Sequence, residues 1–269
     1  MLKRMTALLA AALLTASLAA CGTMDDIQKN TESGAPAPSS ESATETPTET
    51  EPPKPDYDEQ LRILADNYTQ WVRTEEYASY SYMVADLDQN GRLELVCTIC
   101  QGSGFFSSNE IWEINETYDG VTLCDASQIP EDGQPDLISF SETTAYLDNG
   151  VYAYIFNDFV RVNAGESGET RLALSLSEGK LGLRTLGSMY QQYDPDTEEL
   201  STTYRDENET EIDEDAYLTL ADTVFPNAQK YRAAFGWRNF SAEESDAMTA
   251  EQWLSALQTS WACFALERQ

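Results

Sequence analysis

The chain is predicted to be an α+β protein: an antiparallel, hairpin-rich sheet with an N-terminal helix and C-terminal helices packed on it. Three observations predict this. Apolar residues at helical spacing open and close the region from residue 57 to 269. Between them lie short β-rich runs separated by turn dipeptides, Asn149-Gly150 above all. The order is helix, hairpins, helices, not the strand–helix alternation of a parallel sheet.

Asp58 opens a helix to about Arg73, with Leu61, Leu64, Ala65, Tyr68, Trp71 and Val72 on one face. Residues 80–85 read as a strand, followed by an acidic turn and a second strand from Leu93. Residues 110–115 form a third, which Asp119-Gly120 turns into 121–124. Asn149-Gly150 joins 144–147 to 151–156, and Glu178-Gly179 joins 171–176 to 181–186. A strand near 189–193 pairs across Asp194-Pro195-Asp196 with 200–204. Asp213 caps a helix to about Val224. Ser241 with Glu244, and Thr249 with Gln252, are capping boxes. The second starts a helix whose Trp253, Leu254, Ala256, Leu257 and Trp261 form an apolar stripe.

The first residues predict an address. Lys3 and Arg4 precede an uncharged apolar run over 7–18, and Leu18-Ala19-Ala20 leads to Cys21. That layout reads as a signal peptide over 1–20, because the run is too short to span a bilayer. Cys21 sits where a bacterial lipoprotein is cleaved and acylated, and two acyl chains on one residue anchor durably. Residues 21–56 then form a lipidated cysteine and a disordered Ser/Thr/Pro/Glu-rich spacer, too poor in apolar side chains to offset its ordering entropy. Residues 57–269 have the composition of a single globular α+β domain. The expected location is the outer face of the bacterial cytoplasmic membrane, at the cell surface.

Charge and residue usage exclude several functions. With 47 acidic and 16 basic residues, a net charge of −31, nucleic acid is not an expected partner. There is no histidine, so Ser-His-Asp and Cys-His nucleophiles and histidine-ligated zinc are excluded. Ser177-Glu178-Gly179-Lys180 matches S-x-x-K by letters but sits in a hairpin turn rather than at a helix start. Gly102-Ser103-Gly104 lacks the following helix of a phosphate cradle. Cys97 and Cys100 lie three apart on a strand, so they face opposite sides and should not pair with each other. With Cys124 and Cys263 they read as buried small hydrophobes, with room for one cross-strand bridge.

One constellation carries chemistry. Asp86-Leu87-Asp88-Gln89-Asn90-Gly91-Arg92-Leu93-Glu94 sets short oxygen-bearing side chains at alternate positions of a tight loop, with Gly91 for the reversal. The expected metal ligands are Asp86, Asp88, Asn90, the carbonyl of Arg92, and Glu94. Hard oxygen donors in that number suit calcium. An EF-hand is excluded, since Cys97 occupies the twelfth position and both flanks are strands.

This segment resembles the calcium loops of FG-GAP and VCBS-type β-hairpins, in which the ninth position is acidic. More broadly it resembles the D-x-D-x-N-G-x-x-E-L hairpin of uncharacterised clostridial-type surface lipoproteins, where a signal, a polar spacer and a helix precede it. The likeness extends weakly to residues 211–217 and to the helix with Trp253 and Trp261. Gln89 and Arg92 depart from the usual small or acidic fillers. The resemblance implies no known activity. The expected function is a membrane-anchored, non-enzymatic module that binds an extracellular ligand or protein, with a calcium-stabilised β-hairpin. The alternative is a carboxylate-based glycan hydrolase. A transporter's solute-binding lipoprotein would need two α/β lobes, which the hairpin order does not suggest.

Overall fold

Two antiparallel sheets carry the fold. The computed structural model describes residues 56–74, 78–101, 106–129 and 141–269. The expected signal segment, Cys21, the spacer as far as residue 55, and Gly102-Ser103-Gly104 lie outside the described residues.

The first sheet is a meander of β1 (Ala78–Ala85), β2 (Glu94–Gln101), β3 (Phe106–Ile114) and β4 (Val121–Leu123). Its β1 edge is covered by β12 (Arg238–Ser241), contributed from far along the chain. The second sheet has eight strands. β5 (Glu142–Asp148), β6 (Val151–Arg161), β7 (Glu166–Ser177), β8 (Lys180–Asp194), β9 (Glu199–Asp206) and β10 (Glu211–Ile212) follow one another. β11 (Gln229–Ala234) and β13 (Ala265–Arg268) add beside β5. All strand ladders are antiparallel.

Period-two alternation sorts side chains into three cores. Tyr80, Tyr82, Val84, Leu95 and Cys97 face α1 (Tyr57–Asp66), α2 (Tyr68–Trp71) and α6 (Ala250–Trp261). There they pack on Leu61, Leu64, Trp71, Trp253 and Leu257. Met83, Ala85, Val96 and Ile111 point the other way and meet Tyr154, Phe156, Leu174 and Leu176 of the second sheet. The far face of that sheet packs Tyr146, Ala153 and Leu186 against α3 (Glu214–Leu218) and α4 (Leu220–Val224). The layers therefore run helix, sheet, sheet, helix.

The sequence features act as expected at most ends. Asn149-Gly150 (φ 50° and 84°) and Glu178-Gly179 (φ 51° and 70°) have the left-handed pairs of two-residue hairpin turns. Asp213 accepts from the Ala216 N–H, and both capping boxes form, starting α5 (Ala242–Ala247) and α6. Several boundaries differ: the expected helix from Asp213 divides at Thr219 into α3 and α4, and β6 and β7 run past their expected limits at 156 and 171. Asp56, not Asp58, caps α1 through the Glu59 N–H at 2.9 Å. The first helix breaks at Asn67, whose side chain donates back to the Ile63 carbonyl and ends the turn. β8 is one continuous strand, because a bulge opposite Arg171 and Leu172 absorbs the irregularity near Gly187.

Candidate metal centre

The β1–β2 hairpin is held in shape by its own short polar side chains. The Gly91 N–H donates to Asp86 Oδ1 (3.3 Å), the Asn90 N–H to Asp88 Oδ1 (3.1 Å), and the Arg92 N–H to Asn90 Oδ1 (2.7 Å). Gln89 (φ 58°) and Gly91 (φ 79°) supply the left-handed turns that let three side chains fold inward. Helix α1 clamps the loop from outside. Buried Gln60 donates to the Gly91 carbonyl (3.0 Å) and accepts from the Leu93 N–H (2.9 Å). On the inner side the Tyr154 hydroxyl donates to the Leu87 carbonyl (2.7 Å), tying the loop to the second sheet.

Inside this frame a carboxylate oxygen of each of Asp86, Asp88 and Glu94 lies within 4.8 Å of the others. Asp86 and Glu94 are buried, and Asp88 is half-buried. Glu94 is the extreme case, with no exposed surface. Its Oε2 accepts the Leu87 N–H at 2.5 Å, and its Oε1 has no hydrogen-bond partner among the described residues. Burial holds its carboxyl well above the usual range. The Leu87 N–H opposes that rise, while Asp88, Asp86 and Glu113 add to it.

Register adds a residue that sequence reasoning missed. Glu94 pairs directly across the ladder with Glu113, itself buried, which sets two acids opposite each other on one sheet face. Glu113 is neutralised locally: its Oε1 accepts from Arg92 Nη2 (2.7 Å), Arg92 Nε (3.0 Å) and Asn90 Nδ2 (2.7 Å). The Arg92 side chain is thus spent on Glu113 and does not reach Glu94 by any ion pair found among the described residues. The signal for Glu113 is present in the sequence only as an acid sharing a face with Ile111, and it needs the strand register to be recognised.

Of the five expected ligands, three are brought together. Asn90 stands beside them, its amide donating to Asp88 Oδ2 (3.0 Å), and Arg92 contributes a side chain where a carbonyl alone was expected. The loop borders a cleft of about 960 Å³ whose lining includes Asp88 and Glu113 together with Glu178 and Lys180 of the β7–β8 turn. Asp125 and Lys180, joined by an isolated backbone β-bridge, also line it.

Cys97 and Cys124 are buried free thiols, so Cys97 is not bonded to Cys100, whose side chain lies outside the described residues. Cys263 is also free but exposed, which corrects the expectation that all were buried. Comparison with protein-family models, curated proteins and solved structures found no match.

Proposed function

We propose that this chain is an exported, lipid-anchored surface module whose β1–β2 hairpin binds calcium. One observation carries the ion. A fully buried carboxylate, Glu94, has an oxygen without a partner among the described residues and two further carboxylates beside it. A buried acid in that position is costly unless a proton or a cation shares it. Arg92 already compensates Glu113, so no cationic side chain among the described residues pairs with Glu94. Asp86, Asp88 and Glu94 would supply three charged oxygens, with Asn90 and the Arg92 carbonyl completing an oxygen shell that suits a hard divalent ion. Calcium would fix the hairpin between α1 and the second sheet.

One oxygen from each of the three carboxylates lies within 4.8 Å of the others, so three acids converge on one point instead of two facing each other across a substrate cleft. The cluster therefore supports ion binding over the hydrolase alternative. The anchoring rests on Lys3, Arg4, the apolar run and the Leu-Ala-Ala-Cys21 ending. The partners in this reading are the membrane, through Cys21, and an extracellular ligand or protein, with no nucleic acid.

Calorimetric titration with calcium tests the ion. Binding should stabilise the fold by about 2.7 kcal/mol at a hundredfold excess over Kd. Asp88→Ala should abolish the heat while leaving the fold intact, since Asp88 is only half-buried. Absence of both heat and melting shift in the unsubstituted chain would leave the loop a polar turn.

A further inference from the structure

We propose that the far end of the larger sheet carries a groove that binds a neutral, hydroxyl-rich glycan chain. On the face where Tyr154, Phe156 and Leu174 pack the central core, β6–β9 run on past that core. Register there sets two rows of side chains across four strands. The first is Asp158, Thr170, Ser188 and Arg205. The second is Val160, Gly168, Tyr190 and Thr203. They line a groove of about 590 Å³.

Gly168 is the position that points to a ligand. Glycine weakens a strand interior and often marks a place that another molecule approaches closely. Here neither backbone nor packing demands it. Its φ lies outside the left-handed region, and an added Cβ would meet only the Met189 carbonyl oxygen at 3.8 Å and Val160 Cγ1 at 3.9 Å. Gly187 in the adjacent strand is different: a Cβ there would lie 2.4 Å from the Arg205 carbonyl oxygen. What the bare Gly168 does is keep a gap open between Val160 and Tyr190.

The walls of that gap set the chemistry of its occupant. Tyr190 is 42% exposed and offers a ring for stacking. Thr170, Ser188 and Thr203 offer hydroxyls that both donate and accept. Asp158 and Arg205 stand at opposite ends of the first row, and the Arg205 guanidinium pairs with Glu209 at 3.3 Å, so no free cation lines the groove among the described residues, in a chain of net charge −31. Glu169, also at the groove, accepts from the Tyr217 hydroxyl (3.1 Å) of helix α3. An anion would meet the negative field of the whole chain, and among the described residues no three acids converge here as they do at Asp86, Asp88 and Glu94. A sugar ring matches both features, with an apolar face for Tyr190 and a hydroxyl rim for the threonines and serine.

Affinity electrophoresis of the full chain tests this, in gels containing a soluble neutral β-glucan, xylan, mannan or galactan, or the anionic polygalacturonate. At least one neutral polymer should retard migration. Gly168→Val should abolish the retardation, and Tyr190→Ala should weaken affinity about tenfold. Tyr193→Ala, a comparably exposed tyrosine outside the groove, should leave it unchanged. The melting temperature of Gly168→Val should hold or rise, because valine suits a strand better than glycine. The inference is overturned if no neutral polymer retards the chain, or if polygalacturonate retards it more strongly. It is also overturned if Gly168→Val still binds, or if that substitution melts the fold and so gives the glycine a packing role.

Discussion

Replacing Glu94 by glutamine should reverse the order of stability depending on calcium. The substitution keeps size and shape. The new amide oxygen can still accept the Leu87 N–H, and its NH2 can donate toward Asp86 and Asp88. Burial raises the Glu94 carboxyl above its value in the unfolded chain, so without calcium the fold holds that proton more tightly than the unfolded chain does. The stability tied to this proton is fully present below the usual carboxylate range and is lost as pH rises. One proton changes stability by about 1.4 kcal/mol per pH unit while the fold retains it and the unfolded chain has released it. Between about pH 5 and about pH 7 the original chain should therefore lose up to about 2.7 kcal/mol more than Glu94→Gln does. Carboxylates remote from Glu94 are common to both chains and cancel in the difference, while Asp86, Asp88 and Glu113 lose an acidic neighbour in the glutamine chain, which widens it. Urea unfolding with a chelator at both pH values measures it. With saturating calcium the order inverts, because the ion takes the place of the proton and only the glutamate chain gains stability. Parallel pH dependence of the two chains without calcium would refute the buried-acid argument. An equal calcium gain in both would refute the assignment of Glu94 as a ligand.

Four further outcomes are expected. Mass spectrometry of the native protein should find a diacylglycerol adduct on Cys21; a free Cys21 with cleavage elsewhere would remove the anchor. A maleimide applied to the folded chain should modify Cys263 and spare Cys97 and Cys124, because both are buried and burial pushes the Cys97 thiol up to about 12. Trp253→Ala should cost about 3–5 kcal/mol in chemical denaturation, since Trp253 is fully buried with ring centres of Trp71 at 4.8 Å and Tyr82 at 5.0 Å. Gly187→Ala should destabilise by about 1–3 kcal/mol, as the new Cβ presses on backbone that cannot yield; an unchanged melting temperature would show that the strands can part there.

Local signals were legible and long-range ones were not. The left-handed pairs at Asn149-Gly150 and Glu178-Gly179, the Asp213 cap and both capping boxes depend on residues a few positions apart, and all form. β11, β12 and β13 were missed because each is short and owes its strand state to a distant partner: β12 lies on β1, and β11 on β5. The division into two sheets is hidden for the same reason, since both faces of β1 are apolar and Tyr82 and Met83 look alike until their partners are known. In the candidate metal centre the acidic loop was legible as a pattern. The opposition of Glu94 and Glu113, and the diversion of Arg92 to the latter, depend on β2–β3 register and on no local motif.

The pairing of β12 with β1, and of Trp253 with Trp71, has a kinetic consequence. Tyr80 pairs with Phe240, far along the chain, and α6 closes the core that α1 and α2 open. A chain emerging from a ribosome or a translocation channel can make the early hairpins, yet it leaves the β1 edge and the tyrosines on it uncovered until residues 238–261 have followed. Such non-local closure slows folding. An interval in which the apolar face of β1 stays open favours chaperone binding, and removal of the last helix would leave the first sheet without the lid on its helical side.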